Sequence, residues 1–189
     1  MFETVEEAIR NIAFTVGSLI TTTGYATSDF NLWPQFSKFI LICLMFIGAC
    51  AGSTGGGIKV SRIIILLKSI KKEVRMSAHP RNVLKIKMNG RVIEHETVRG
   101  VNVFMASYVV IYMFALGIIS LDNFGFTTNF TSVVATLNNI GPGLELIGPT
   151  GNFSCFSDLS KFVMSICMLI GRLEIFPVLL LLSPYTWKK

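Results

Sequence analysis

Apolar positions near the start of the chain recur at spacings of three and four: Val5, Ala8, Ile9, Ile12, Ala13 and Val16 share one face. That period predicts an amphipathic helix over 4–20, too short and too polar to cross a bilayer. It runs into Gly17-Ser-Leu-Ile-Thr-Thr-Thr-Gly-Tyr25, where Thr and Gly weaken helical backbone. An acidic, aromatic turn follows, Ser28-Asp-Phe-Asn-Leu-Trp-Pro34. Pro34 suits the first turn of the next helix, and Trp33 is expected at a membrane interface. The apolar run 36–51 reads as helix, Gly52-Ser-Thr-Gly-Gly-Gly57 interrupts it, and an apolar pattern resumes over 58–67. Each glycine inside a helix costs about 1 kcal/mol relative to alanine, so a broken helix over 34–67 is predicted. Further on, Leu84, Ile86 and Met88 alternate with Lys85 and Lys87 ahead of Asn89-Gly90, which predicts a hairpin over 83–93. A long helix over 98–121, a short one over 129–138 and a Gly-rich segment, Asn138-Asn-Ile-Gly-Pro-Gly143, complete the second half. Ser157-Asp158 is placed to cap a last helix over 158–182, with Arg172 and Glu174 near its middle.

Composition sharpens this pattern. Of 189 residues, 51% are hydrophobic and only 15% charged, against about 25% charged in an average soluble domain. Residues 39–58 and 101–121 carry no charge at all, and each run is long enough for a hydrocarbon core of about 30 Å. The expected fold class is therefore an all-α, multi-pass membrane protein with a small β-hairpin. Disorder, a disulfide scaffold and a nucleic-acid-binding module are disfavoured.

The net charge of +6 belongs to topology. Nine of the 17 Lys and Arg residues lie between Lys68 and Arg99, so this segment is expected in the cytoplasm. The other connections, 25–34 and 122–158, carry Asp29, Asp122, Glu145 and Asp158 and no Lys or Arg, as expected outside. Cys43, Cys50, Cys155 and Cys167 show no C-x-x-C spacing and are expected as buried packing thiols; His79 and His95 stand without ligand partners. The start has no basic n-region, so no signal peptide is expected. No Ser/His/Asp or Cys/His set emerges, and the protein reads as a non-enzyme.

Two short helices, each followed by a Gly-rich loop and a longer helix, make a weak internal repeat. A short helix entering from outside points its carbonyl end, with about half a negative charge, at the bilayer middle, where it favours a cation. The Thr and Gly residues after it can present backbone carbonyls in place of a hydration shell. Two outer loops with ordinary turn glycines is the plainer alternative. Residues 52–59 superficially resemble a phosphate-binding loop, but Ile58 separates Gly57 from Lys59 and Val60 stands where Ser or Thr is needed, so nucleotide binding is not expected. Non-helical backbone at membrane depth points instead to a pathway. Arg172 near mid-membrane needs either an interhelical ion-pair partner or a wet cavity.

The stretches Ile20-Thr-Thr-Thr-Gly-Tyr-Ala-Thr-Ser-Asp-Phe30, Gly52-Ser-Thr-Gly-Gly-Gly-Ile-Lys59, Asn138-Asn-Ile-Gly-Pro-Gly143 and Gly171-Arg-Leu-Glu-Ile-Phe-Pro177 together resemble the Trk/Ktr/HKT family of cation transporters over nearly the whole chain. The resemblance implies K⁺-channel-like repeats of membrane helix, pore loop and membrane helix, four to a pore. Residues 1–67 match the third repeat without its first membrane helix (pore helix 4–20, filter 21–25, broken helix 34–67). Residues 68–97 form the cytoplasmic linker, 98–182 the fourth repeat (helix 98–121, pore helix 129–138, filter 139–143, helix 158–182) and 183–189 a cytoplasmic tail. It further implies filter residues Thr22, Thr23, Gly24, Tyr25, Asn139, Ile140, Gly141 and Pro142, with K⁺ on the carbonyls of Thr22, Thr23, Asn139 and Ile140. Gly52, Ser53, Thr54, Gly55, Gly56 and Gly57 match a gating loop, with Arg172 as a cavity charge. The implied function is potassium uptake across a bacterial inner membrane without a cofactor. The implied partners are the missing first half, a second copy as a homodimer, and a peripheral nucleotide-binding regulatory ring of the TrkA/KtrA kind. A sodium-selective member and a truncated, non-conducting fragment are the alternatives.

Overall fold

The computed structural model describes residues 4–48, 50, 52–53, 55–79 and 84–187. Eight helices follow in order among them: α1 (Val5–Ile20), α2 (Gln35–Phe46), α3 (Val60–Ala78), α4 (His95–Ile119), α5 (Phe126–Leu137), α6 (Asp158–Leu173), α7 (Ile175–Leu182) and α8 (Pro184–Trp187). Side chains cap two of their N-terminal ends. Thr4 Oγ1 accepts from the Glu7 amide at the start of α1, and Ser157 Oγ accepts from the Ser160 amide at the start of α6.

The molecule is organised round α5. Every residue from Thr131 to Asn138 is buried, although four of these eight, Thr131, Ser132, Thr136 and Asn138, are polar. A polar helix can be buried because its hydroxyls find acceptors in the turn below: Thr131 Oγ1 donates to Thr127 O at 2.7 Å, Ser132 Oγ to Asn129 O at 2.7 Å and Thr136 Oγ1 to Ser132 O at 2.7 Å. Around it pack α2, α4 and α6, with Phe46, Tyr112 and Phe130 in mutual ring contact. The outer face of α4 is left apolar and open, with Val109, Val110, Met113 and Phe114 exposed. One helix among the described residues, His95–Asp122 including its last 3₁₀ turn, is long and apolar enough to cross a membrane by itself.

Two small strand pairs are present. Ile47–Gly48 (β1) pairs in parallel with Ile58–Lys59 (β2), and Lys87–Met88 (β3) pairs antiparallel with Arg91–Val92 (β4) round the Asn89-Gly90 turn. The Ile93 amide donates to Ile86 O at 2.9 Å and lengthens the hairpin by one rung. Val83, where the hairpin was expected to begin, lies outside the described residues.

Four sequence expectations need correction. The helix expected over 158–182 is two helices, α6 and α7, bent by 112°. Pro177 is the reason: inside a continuous helix its ring would clash with the Leu173 carbonyl, whereas it is tolerated in the first turn of a new helix. Helix α3 runs to Ala78, well into the stretch expected to be linker, since Lys and Arg are good helix formers. Trp33 is buried against Phe30. Of the cysteines, only Cys167 is buried; Cys43 is exposed on the apolar outer face of α2, and Cys50 and Cys155 are exposed in connections between the longer helices.

Candidate ion pathway

Helices α1 and α5 end in the same way. After Ile20, Thr21 remains helical, Thr22 turns left-handed with φ 56°, and Gly24 follows at φ 80°. After Leu137, Asn138 stays near the helical region, Asn139 turns left-handed with φ 55°, and Gly141 follows at φ 109°. The hydrogen bonds match as well. Thr22 N–H donates to Leu19 O at 3.2 Å and Thr23 N–H to Ser18 O at 2.9 Å, as Asn139 N–H does to Thr136 O at 3.1 Å and Ile140 N–H to Ala135 O at 2.9 Å. This is a Schellman end, in which glycine normally takes the left-handed position. Thr22 and Asn139 hold it at a conformational cost of about 1 kcal/mol or more, a strain that packing elsewhere must offset.

The two ends lie side by side. A Cβ added to Gly24 would stand 2.1 Å from the Ile140 carbonyl oxygen and 3.2 Å from Pro142 Cδ. Thr22–Tyr25 and Asn139–Pro142, far apart in the chain, thus form one surface. Ile140 is buried in it, and Tyr25 is 72% exposed at its edge.

The loop after α2 comes back beneath this surface. Pairing of β1 with β2 closes it, and a Cβ on Gly56 would meet the Asn138 carbonyl oxygen at 2.4 Å. Gly57 lies against the Asn138 side chain, Ser53 and Gly55 border the cavity below, Gly52 is exposed, and Thr54 lies outside the described residues. Asn138 is held from the other side by Tyr108, whose hydroxyl donates to Asn138 Oδ1 at 2.9 Å. From α6, Gly171 packs against Leu137 O, and Met168 O accepts from Asn139 Nδ2 at 3.0 Å. Helices α4, α5 and α6 and the Gly-rich loop therefore converge on residues 137–139.

Below lies a cavity of about 130 Å³, lined by Ser53, Gly55, Gly57, Lys59, Arg172 and Glu174 among others. The sequence marked Arg172. The structure adds Glu174, whose carboxylate accepts from Lys59 Nζ at 3.0 Å and Arg62 Nη2 at 2.8 Å. Arg62 also lies over the Phe104 ring, 3.9 Å from its centre. Glu174 has φ 64°, so the bend between α6 and α7 aims its side chain at α3. Lys59 and Arg62, two cations in an otherwise apolar run, were the signal available in the sequence.

Fold and site together define a mostly helical protein, with one described helix long and apolar enough to cross a membrane, built round two matching helix ends and a Gly-rich loop. The chain belongs to the TrkH family of cation transport proteins, matching it over residues 3–188. It is 39% identical over 184 residues to the Trk system potassium uptake protein TrkH of Escherichia coli K12, an alignment covering 96% of this chain and 37% of that protein. With the Trk system potassium uptake protein TrkH of Halomonas elongata it shares 36% identity over 188 residues, covering 100% of this chain and 38% of that one. It is similar in structure to the potassium transporter TrkH from Vibrio parahaemolyticus, with a TM-score of 0.88 at 36% identity, covering 99% of this chain and 40% of the other. The chain thus spans little more than a third of the length of these relatives. The family is one of transporters, not of enzymes.

Proposed function

We propose that this chain supplies two of the filter segments and the gating loop of a potassium-uptake pore in a bacterial inner membrane. The observation that carries this reading is the pair of strained Schellman ends on α1 and α5, set side by side with Gly24 against the Ile140 carbonyl. Main-chain carbonyls of Thr22, Thr23, Asn139 and Ile140 replace the water shell of K⁺, the transported substrate, and the negative ends of α1 and α5 favour its charge. The loop 52–57 lies beneath and controls passage, and Arg172 sets the charge of the cavity it borders. The similarity to potassium uptake proteins and to a potassium transporter supports this choice of ion.

Two filter segments do not enclose an ion. Two more come from a first half of the pore subunit outside this chain, and the assembled subunit pairs as a homodimer. The basic cytoplasmic face carries a nucleotide-binding regulatory ring. The test is growth on limiting potassium of cells lacking K⁺ uptake, with this chain alone and with its full genomic reading frame. Rescue by the longer form, lost on Gly24→Ser, supports the reading. No rescue by either form, with both present in the membrane, sinks it.

A further inference from the structure

Two adjoining hollows lie where α3, the β3–β4 hairpin and the start of α4 meet. The larger, about 450 Å³, has an apolar floor of Leu84, Ile86, Val92, Val98 and Val103, with Glu73, Glu94, His95 and Arg99 also on its wall. The smaller, about 170 Å³, is walled by Lys68, Lys71, Lys72, Arg75, Lys85 and Lys87, with no acidic side chain in its lining among the described residues. Lys72, Leu84, Lys85 and Ile86 belong to both, so the cationic groove opens directly into the apolar hollow.

Lys68 is committed to structure, its Nζ donating to Lys87 O at 2.7 Å and fixing the hairpin to α3. None of Lys71, Lys72, Arg75 and Lys85 forms an ion pair among the described residues. Glu73 and Glu94 stand on the wall of the adjoining hollow and not in the groove, so the groove itself gathers like charges, and an anion in it relieves their repulsion. The position selects which anion. Val98, Asn102 and Val103 in the hollow belong to the first turns of the helix long and apolar enough to cross the membrane, at the end where the basic residues mark the cytoplasmic side.

We propose that this groove binds an anionic phospholipid of the cytoplasmic leaflet. Its headgroup phosphate lies among Lys71, Lys72, Arg75 and Lys85, and its glycerol and upper acyl chain cover Ile86, Val98 and Val103. Charge and apolar surface are adjacent in the order a lipid presents them. A soluble polyphosphate would use the cations and leave the apolar floor in water.

The test takes the protein expressed from its full reading frame into nanodiscs of phosphatidylcholine mixed with phosphatidylglycerol, and counts retained lipids by native mass spectrometry. The expected result is at least about a tenfold preference for phosphatidylglycerol, since several cations act together. That preference should vanish in the variant carrying Lys71→Gln, Lys72→Gln, Arg75→Gln and Lys85→Gln. It should also fall in Val98→Trp, which fills the hollow and leaves every charge in place. Unchanged retention in the charge variant overturns the proposal and leaves the cations to a protein partner. Displacement of the lipid by millimolar pyrophosphate, equally in wild type and Val98→Trp, overturns it in favour of a soluble phosphate. The charge variant alters only side chains at the surface, and it decides the matter if Val98→Trp does not accumulate.

Discussion

Gly24 and Gly141 occupy corresponding turns, yet only one of them is crowded within this chain. Gly24 has both a left-handed φ and a carbonyl where its Cβ would be, whereas a Cβ on Gly141 meets nothing within 4 Å. Gly24→Ala should therefore lower rubidium tracer uptake at least about tenfold, while Gly141→Ala pays for backbone strain of about 1 kcal/mol and loses less. Equal losses would mean that contact with Ile140 plays no part. Glu174 makes a second prediction at this scale. Its carboxylate pairs with Lys59 and Arg62, and Arg172 borders the same cavity. Glu174→Gln leaves that cavity more positive, so cation flux should fall severalfold, and adding Lys59→Gln should restore part of it. Arg172→Gln changes the charge in the opposite direction and should raise cation leak; unchanged flux in both would remove the cavity charge from the mechanism.

Helix α5 decides how the other elements meet, and it does so with polar residues. The hydroxyls of Thr131, Ser132 and Thr136 are satisfied within the helix, and that of Thr128 donates to Glu145 Oε2, so α2, α4 and α6 can pack closely round it. At its end, Tyr108 from α4 ties Asn138 to the point where the Gly-rich loop and Gly171 arrive. Tyr108→Phe keeps the ring and removes the donor from a buried amide, a loss of about 1–3 kcal/mol. The detergent-solubilised protein should melt several degrees lower, and an unchanged melting temperature would show that Asn138 finds another donor. The hairpin, the interruption after α2 and the Ser157 cap were all legible in the sequence, because each depends on residues adjacent in the chain. The bend after α6 was legible in principle through Pro177, but apolar residues on both sides of Arg172 and Glu174 made one continuous span the plainer reading. Burial of α5 was not legible, since a helix rich in Thr, Ser and Asn has the composition of an exposed one.

At the scale of the molecule, the side facing water and the side facing lipid can be told apart by thiol chemistry. Cys155 is exposed in a connection without basic residues, Cys43 is exposed on the apolar helix α2, and Cys167 is buried. In intact cells, single-cysteine forms should react with a membrane-impermeant maleimide at Cys155 and resist it at Cys43 and Cys167. Labelling at Cys43 would place α2 in contact with water and overturn its membrane placement. The sequence by itself determined local features: where the hairpin turns, where glycine replaces a side chain, and which segment concentrates positive charge; it did not place the end of α3 or the break between α6 and α7. The local features follow from spacing, backbone preference and net charge, properties each segment carries alone. Only the tertiary structure decided that Gly24 meets Ile140, that the Gly-rich loop returns to Asn138, and that Glu174 reaches Lys59 and Arg62 across more than a hundred residues. Contacts of that kind depend on how separate helices pack round α5, and no local pattern encodes them.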